Sequence, residues 1–542
     1  MNIHPIIAPY KGLRYNFPGD LIGDLEMADC RNIHVDEGYV AKRTGYATKG
    51  NSLSGSVLGT HHFKDYQGNG WLLAITTSNA YKWDTTNEEW DRLFSSVEAS
   101  TPYGYSTYGS GIYGGIGAGS YGGGAYGSGV YGDASTFSGN DDVLLSYTSI
   151  RKNTESNPWF VFTNGVDNVY VFKPNDDTQV EDLASVKARY VIEFKNHLFL
   201  LDTTESGTRN PQRARWSDTA TPDDFTNGNA SYNDLPGEDW IKGACKFASD
   251  YLVICKENSI WLCYATEDND IFAFDQKVNG VGCAAGHTVK ALPDRVFFLG
   301  SDDVYEFDGL DVRSIGTNVK DQLISNINPA QMDRCFAAII KELKEYWLFV
   351  PYGDNTYPNV AWCYHYDSGG WTRHSYGDYL TAIGKYEQQS GQTFDDASGT
   401  MDSDTGQFDD RYSLRLNPTI IFGDKDGVIY ETNFDSYNDN DTAIDGYFET
   451  RDFNFTDLAR RQWNLRLDVS WLGSGMDVDY SLDKGANWTT ASSLSSANTL
   501  SREKVSLRTH SDWIRFRFRN NSSSGWFKFN RGVLYWVPGG RI

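Results

Sequence analysis

Side-chain chemistry needs a nucleophile beside a base, a working pair of carboxylates, or metal ligands at ligand spacing. This chain shows none of these locally. No G-x-S-x-G or H-E-x-x-H segment occurs, and the nine histidines are scattered, with His61-His62 the one adjacent pair. The seven cysteines (Cys30, Cys245, Cys255, Cys263, Cys283, Cys335 and Cys363) are odd in number, form no CxxC, and several fall inside apolar runs such as LVICK and IWLCY. They read as buried free thiols of a protein folded in a reducing compartment, with a zinc site assembled from distant Cys and His left open. A carboxylate pair for glycoside hydrolysis can hide among 72 acidic residues, because its spacing is set in three dimensions.

Two local patterns stand out. The stretch from Arg189 to Phe225 ends in RARWSDTATPDDF, where Arg215-Trp216-Ser217-Asp218 closes an apparent sheet. It reads as a turn and packing signature: Trp216 buried between blades, Ser217 or Asp218 capping, Arg215 pairing locally. The second pattern, YSLDKGANW, places Ser481, Asp483, Gly485 and Trp488 in the S-x-D-x-G-x-x-W spacing of the Asp-boxes in sialidase propellers. In such boxes the Ser and Asp cap a hairpin turn and the Trp packs beneath it. An Asp-box enzyme would carry several copies, an arginine cluster and a Tyr-Glu nucleophile pair; one box near the C-terminus reads as architecture.

The elements that position these residues are strands. Within Arg189–Phe225, Tyr190, Ile192 and Phe194 alternate with Val191, Glu193 and Lys195 at the period of a half-buried strand, Lys195-Asn196 reads as a turn, and Leu198–Leu201 is an apolar run of strand length. The same grammar recurs: a mixed strand, an apolar strand, then an aromatic one. Copies lie at 59–90, 158–172, 189–225, 241–264, 287–307, 335–371 and 419–432. About seven copies without helical crossovers predict an all-β chain, a β-propeller of about seven blades, with a β-sandwich pair or a solenoid as competitor. Aromatics at 15% and 53 glycines fit short strands and tight turns. The domain reading is 1–50 as N-terminal arm and opening hairpin, 51–450 as propeller, and 451–542 as a small C-terminal antiparallel sheet or sandwich domain. The opening hairpin pairs 32–35 with 39–42 around Gly38, and the arm is expected to string into the first sheet.

Two long loop insertions interrupt the pattern. Residues 103–132 are a Tyr-Gly tract, either a flexible loop or a compact or intersubunit excursion with stacked rings. It lacks the Lys-Ser/Thr and helix of a phosphate-binding loop. Residues 395–410 form an acidic loop whose carboxylates miss the twelve-residue calcium pattern and read as solvated. Near the C-terminus, Arg515, Arg517 and Arg519 share one strand face, either solvated or docking an acidic neighbour.

The net charge of −24 makes a duplex-gripping protein a poor reading, since grip comes from neutralising phosphates. No run approaches ~18 uninterrupted apolar residues, so no membrane span is expected. The first residues, MNIHPIIAPYKG, lack a basic segment and a long apolar core, so no signal peptide is expected either.

Three stretches in order resemble the tail nozzle, or tail-hub, proteins of short-tailed bacteriophages. The first is DLEMADCRNIHVDEGYVAKRTGY, with Asp29, Asn32, Gly38, Arg43, Gly45 and Tyr46 at the matching positions. The second is RARWSDTATPDDF, with Phe225 at the aromatic position. The third is ALPDRVFFLGSDDVYEFDG followed by the sheet carrying YSLDKGANW. The resemblance implies a structural, non-enzymatic virion protein with no cofactor, assembled in the bacterial cytoplasm into the phage tail. It implies a homohexameric tube below the head-to-tail adaptor, contacts to tailspikes or fibres, and DNA passing through without sequence-specific binding. An acidic lumen would then let DNA slide without counterion release. The alternative class is a propeller that binds or hydrolyses host glycans, with a concave pocket lined by Arg, Tyr and carboxylates.

Overall fold

The computed structural model describes residues 1–541 except 37, 65–69, 96–106, 109–110, 113–136, 156, 175–178, 267–270, 378, 388–418 and 456–459. It is all-β, in a seven-bladed propeller arrangement with an additional, nearly closed sheet. Six blades are consecutive four-stranded units spanning 57–95, 146–184, 187–234, 241–279, 290–314 and 336–375. The seventh joins Leu380–Tyr386, Thr419–Asp424 and Ile429–Asn433 to the early strand Gly45–Thr48. The acidic loop lies outside the described residues, as does the Tyr-Gly tract apart from the short pair Thr107–Tyr108 and Gly111–Ile112.

Local rules account for the blades. In the third, Lys187–Phe194 pairs with His197–Glu205 across Lys195 and Asn196, both at positive φ (51° and 62°). Two left-handed residues in a two-residue turn match the right-handed twist of the strands they join. Asn440 and Asp441 (44° and 68°) repeat the device after the seventh blade, and Ala248 and Ser249 (47° and 63°) place the same pair in a three-residue turn in the fourth. The apolar second strands are buried on both faces: Leu198–Leu201, Leu252–Cys255 and Tyr346–Val350 are all buried. All seven cysteines are free and buried, and burial raises their thiol pKa values, that of Cys245 to about 12. They act as small core hydrophobes.

The chain divides into two compact units. One comprises 49–241 and 381–429. One of its cores gathers Leu53, Val57, Leu72, Tyr81 and Trp90 with Ala382, Tyr386 and Ile421, and another joins the second and third blades through Trp159, Val161, Val171, Leu198 and Phe225. The other unit comprises 1–48, 242–380 and 430–542, with one large core shared by the N-terminal arm, the fifth and sixth blades and the additional sheet.

That sheet has nine strands, and its composition differs from the sequence reading. Five come from the C-terminal region: Gly446–Glu449, Arg460–Ser481, Thr489–Ser511, Arg515–Asn520 and Phe527–Arg541. The other four are Asn2–Ile7, Asp29–Arg31, Ile33–Asp36 and Tyr39–Lys42. The opening hairpin forms around Gly38 (φ 89°) with Ile33 opposite Lys42. The arm does not enter the first blade. Asn2–Ile7 pairs with 531–536 and Asp29–Arg31 with 447–449, while the segment between runs against the last strand of the sixth blade. There the Leu13 N–H donates to Trp371 O (2.8 Å), and just past Arg31 the Asn32 N–H donates to Arg373 O of the same strand (2.8 Å). Gly12 fits this close approach because a Cβ would lie 2.3 Å from Trp371 O.

Arg43 fastens this arrangement. It is 2% exposed, and all five guanidinium protons are used. Nε donates to Asn32 Oδ1, Nη1 to Thr44 O and Asp439 Oδ1, and Nη2 to Ser375 O and Asp439 Oδ2, at 2.5–3.1 Å. Its plane stacks on Tyr376 at 4.7 Å. Burial opposes the charge, but Asp439 overcomes it and raises the pKa further. Gly45 follows because a Cβ would sit 1.6 Å from Asn438 O, and Tyr46, 1% exposed, packs on Tyr430 at 4.9 Å.

Breaking a buried, fully bonded ion pair by removing one partner costs roughly 3–5 kcal/mol. Arg43→Ala, and separately Asp439→Ala, should lower the unfolding free energy by that amount, read as a lower midpoint of denaturant unfolding at unchanged slope. A midpoint unchanged in both variants would refute the fastening role.

Candidate functional site

The third-blade signature is a compact turn. Trp216, 5% exposed, stacks on Phe199 of its own blade at 5.8 Å, and its Nε1–H donates to Asn229 O (3.0 Å). Ser217 Oγ accepts from the Leu198 N–H (3.0 Å) and donates to Asp218 O (3.0 Å). Asp218 Oδ1 accepts from the Asn229 N–H (2.8 Å). Arg215 donates from Nη1 to Glu205 (2.5 Å) and from Nη2 to Phe225 O (2.9 Å). Ser217 and Asp218 are spent on holding the turn, while Arg215 Nε is buried without a hydrogen-bond partner among the described residues.

The Asp-box builds the turn of the hairpin Arg460–Ser481/Thr489–Ser511. Ser481 Oγ donates to Asp483 Oδ1 (2.7 Å) and accepts from the Gly485 N–H (2.8 Å), while Asp483 accepts from the Asn487 side chain and backbone (2.6 and 2.8 Å). The Asn487 and Ser481 side-chain bonds hold Asp483 down at a pKa of about 2. Gly485 supplies a φ of 92°. Trp488 is half-buried and lies against Arg517, whose guanidinium carbon is 4.3 Å from the ring.

The three arginines dock acidic residues of their own chain. Arg515 pairs with Asp452 through two bonds (both 2.8 Å), Arg517 with Asp479 (2.9 and 3.1 Å), and Arg519 with Asp445 (2.7 and 3.1 Å). Planar forks on planar carboxylates fix side-chain direction as well as charge. Next to them lies a cluster that no local pattern announces. Asp29 accepts from Tyr15 Oη (2.6 Å), Tyr447 Oη (2.9 Å) and Arg373 Nη2 (3.2 Å). Its cross-strand partner Glu449 accepts from Arg515 Nη1 (3.2 Å). Burial, then the charge on Asp29, raise Glu449 to about 7.

The residues that come nearest to a ligand site form a groove of about 400 Å³ between the last strand of the fifth blade and a hairpin turn of the sixth. Arg313, Ser314, Tyr364, Tyr366, Asp367 and Ser368 line it. Arg313 is paired with Glu306 (2.9 Å) and Asp367 with Lys344 (2.7 Å). Sequence reading missed this set because its members lie in different blades. Among the described residues no group of three or more His, Cys, Asp or Glu side chains is placed to hold a metal ion, and no helix is long and apolar enough to cross a membrane.

No family model matches the chain, and no curated protein matches its sequence. Solved structures are similar in fold. An exo-beta-1,3-galactanase from Phanerochaete chrysosporium, bound to galactose, is 10% identical with a TM-score of 0.24, over 72% of this chain and 95% of that one. A structure of the same galactanase with beta-1,3-galactotriose is 11% identical with a TM-score of 0.25, over 91% and 100%. The extracellular domain of a one component system from B. thetaiotaomicron is 8% identical with a TM-score of 0.39, over 92% of this chain and 61% of that one. The expectation of a non-enzymatic chain is corrected here. The solved structures matched include a glycoside hydrolase.

The cluster makes a pH prediction. The folded-state pKa of Glu449 lies above its ordinary 4.5, at about 7. The folded chain therefore holds that proton more tightly than the unfolded one. Its contribution to stability is complete below pH 4.5 and is lost as pH rises through 7. Between these values the wild type should lose thermal stability relative to Glu449→Gln; a gap that stays constant with pH would refute the assignment. Trp216→Ala should cost roughly 3–5 kcal/mol of stability. A stable variant with an isolated binding defect would instead make Trp216 a ligand contact.

Proposed function

We propose that this chain is a structural component of a short-tailed phage tail. In this reading it is a nozzle or hub that assembles into a ring, joins the head-to-tail adaptor to the distal tail with its spikes or fibres, and conducts DNA during ejection. One observation carries the reading: the residues that resemble tail nozzle proteins are those that build the closure. Arg43 bonds Asp439 and Asn32, Gly45 pairs with Asn433 and Tyr46 packs on Tyr430, and Asp29 anchors the tyrosine–arginine cluster beside it. The net charge of −24 adds support, because an acidic channel offers phosphates nothing to hold.

A second reading, a propeller that binds or hydrolyses glycans, is favoured by the groove at Arg313, Tyr364, Tyr366 and Asp367, whose aromatic and charged lining suits a saccharide.

Electron microscopy of the purified chain, alone and with the adaptor of its own virion, should show rings with a central channel lined by carboxylates. Particles that stay monomeric in both preparations would defeat the nozzle reading, and a basic channel would defeat the account of DNA passage. For the groove, binding to a glycan array should be lost in Tyr366→Ala; the absence of binding or sugar release with the wild type would remove the second reading.

A further inference from the structure

The nine-stranded sheet leaves one long open edge, interrupted by register shifts but free of proline and, along its first half, of charge. Strand Thr489–Ser511 has 23 residues and pairs on one side only, with Arg460–Ser481. Among the described residues nothing pairs with its other side. At about 3.3 Å per residue it presents on the order of 75 Å of open backbone donors and acceptors. Natural sheets blunt such edges with proline, charge, brevity or a covering segment. Other edges of this chain follow that rule. Asn2–Ile7 carries Pro5, the outer strand of the third blade is four residues long and ends in Asp234, and the last strand of the sixth blade is covered by the arm at Gly12 and Leu13. By contrast, residues 489–501 read TTASSLSSANTLS, without a single charge or proline. Ser493, Ser495, Ser496, Asn498, Thr499 and Leu500 are exposed, Leu500 at 54%.

We propose that this edge receives a strand from a second copy of the chain, extending the sheet from subunit to subunit. The inference deepens the ring reading above and rests on it. Charge selects the occupant. Two copies at −24 repel one another except where the local charge is reversed. The continuation of this strand, residues 502–511, carries Arg502, which is paired with Asp468 of its own sheet (2.8 Å), and Lys504 and Arg508, both exposed, against Glu503. The open edge is therefore neutral along one half and basic along the other, on an otherwise acidic molecule. It is complementary to the acidic body of another copy. A basic strand seeking an acidic surface is not its own partner, so the contact joins two different patches. Such heterologous contacts close into rings when the rotation permits. Main-chain bonding supplies the affinity, as in other strand additions.

Hydrogen exchange of the full-length chain, followed with its assembly state by light scattering, tests this. In assembled wild type the amides of 489–501 should exchange at least about tenfold more slowly than in dilute monomer. Ser496→Asp with Leu500→Asp, on exposed positions, should keep the thermal midpoint and raise the assembly concentration about tenfold or more. Lys504→Glu with Arg508→Glu should weaken assembly comparably and remove part of its salt dependence, and it serves if the first variant misfolds. Rings whose 489–501 amides remain open, or folded variants that assemble like wild type, overturn the edge and leave the ring standing. A wild type that stays monomeric at its highest soluble concentration overturns the ring and the edge together. Slow exchange induced by duplex DNA but not by assembly would also overturn the proposal, by making the basic half a nucleic-acid contact.

Discussion

One buried cation holds the ends of this fold together. Arg43 reaches Asp439 across 396 positions of sequence, and it survives burial only because every one of its donors has an acceptor. Remove one acceptor and a charge is stranded in the core. The neighbouring Lys42 obeys the same rule with a different solution. Its ammonium donates to Asn520 Oδ1, Ser522 O and Gly525 O, each at 2.9 Å, and burial lowers its pKa to about 8. Two adjacent basic residues therefore tie the early chain to two distant segments, Arg43 to the last blade and Lys42 to the turn before the final strand. Everything between is free to be a row of locally folded blades.

That division explains what was legible. The blades were, because a strand triplet with two-residue turns is written over about 40 residues, in alternation and in turn chemistry that needs no distant partner. Lys195-Asn196 and Gly38 announce their turns in the letters themselves. The additional sheet was legible only in its C-terminal half. Nothing in NIHPII says that it pairs with residues 531–536, because strand pairing at that separation is chosen by tertiary packing. The candidate sites divide the same way. The turns at Arg215–Asp218 and Ser481–Trp488 were readable as structure. The Asp29–Glu449 cluster and the Arg313–Asp367 groove were invisible, since each brings together residues whose proximity the blades create.

The arginines at 515, 517 and 519 show how a repeated pattern acquires meaning only in context. Alternation alone favoured a solvated face over an acid-docking one. The acids come from Asp452, Asp479 and Asp445, on segments before and after the long hairpin begins. Three forks in a row pin the register of this sheet, because a slip of one residue would turn all three guanidinium groups into the apolar side occupied by Phe516 and Phe518.

The closing strand also sets a timetable for synthesis. Gly45–Thr48 leaves the ribosome some 380 residues ahead of its partner Tyr430–Asn433. At about 5–20 residues per second this is a wait of roughly 20–80 s. For that interval the nascent chain carries a finished strand with no mate, ahead of blades that can fold as they appear. Uncommitted strands are the usual seeds of misassembly on polysomes, where identical chains emerge side by side. Brevity guards this one: four residues, two of them Gly45 and Ala47, offer little to a wrong partner until Arg43 finds Asp439.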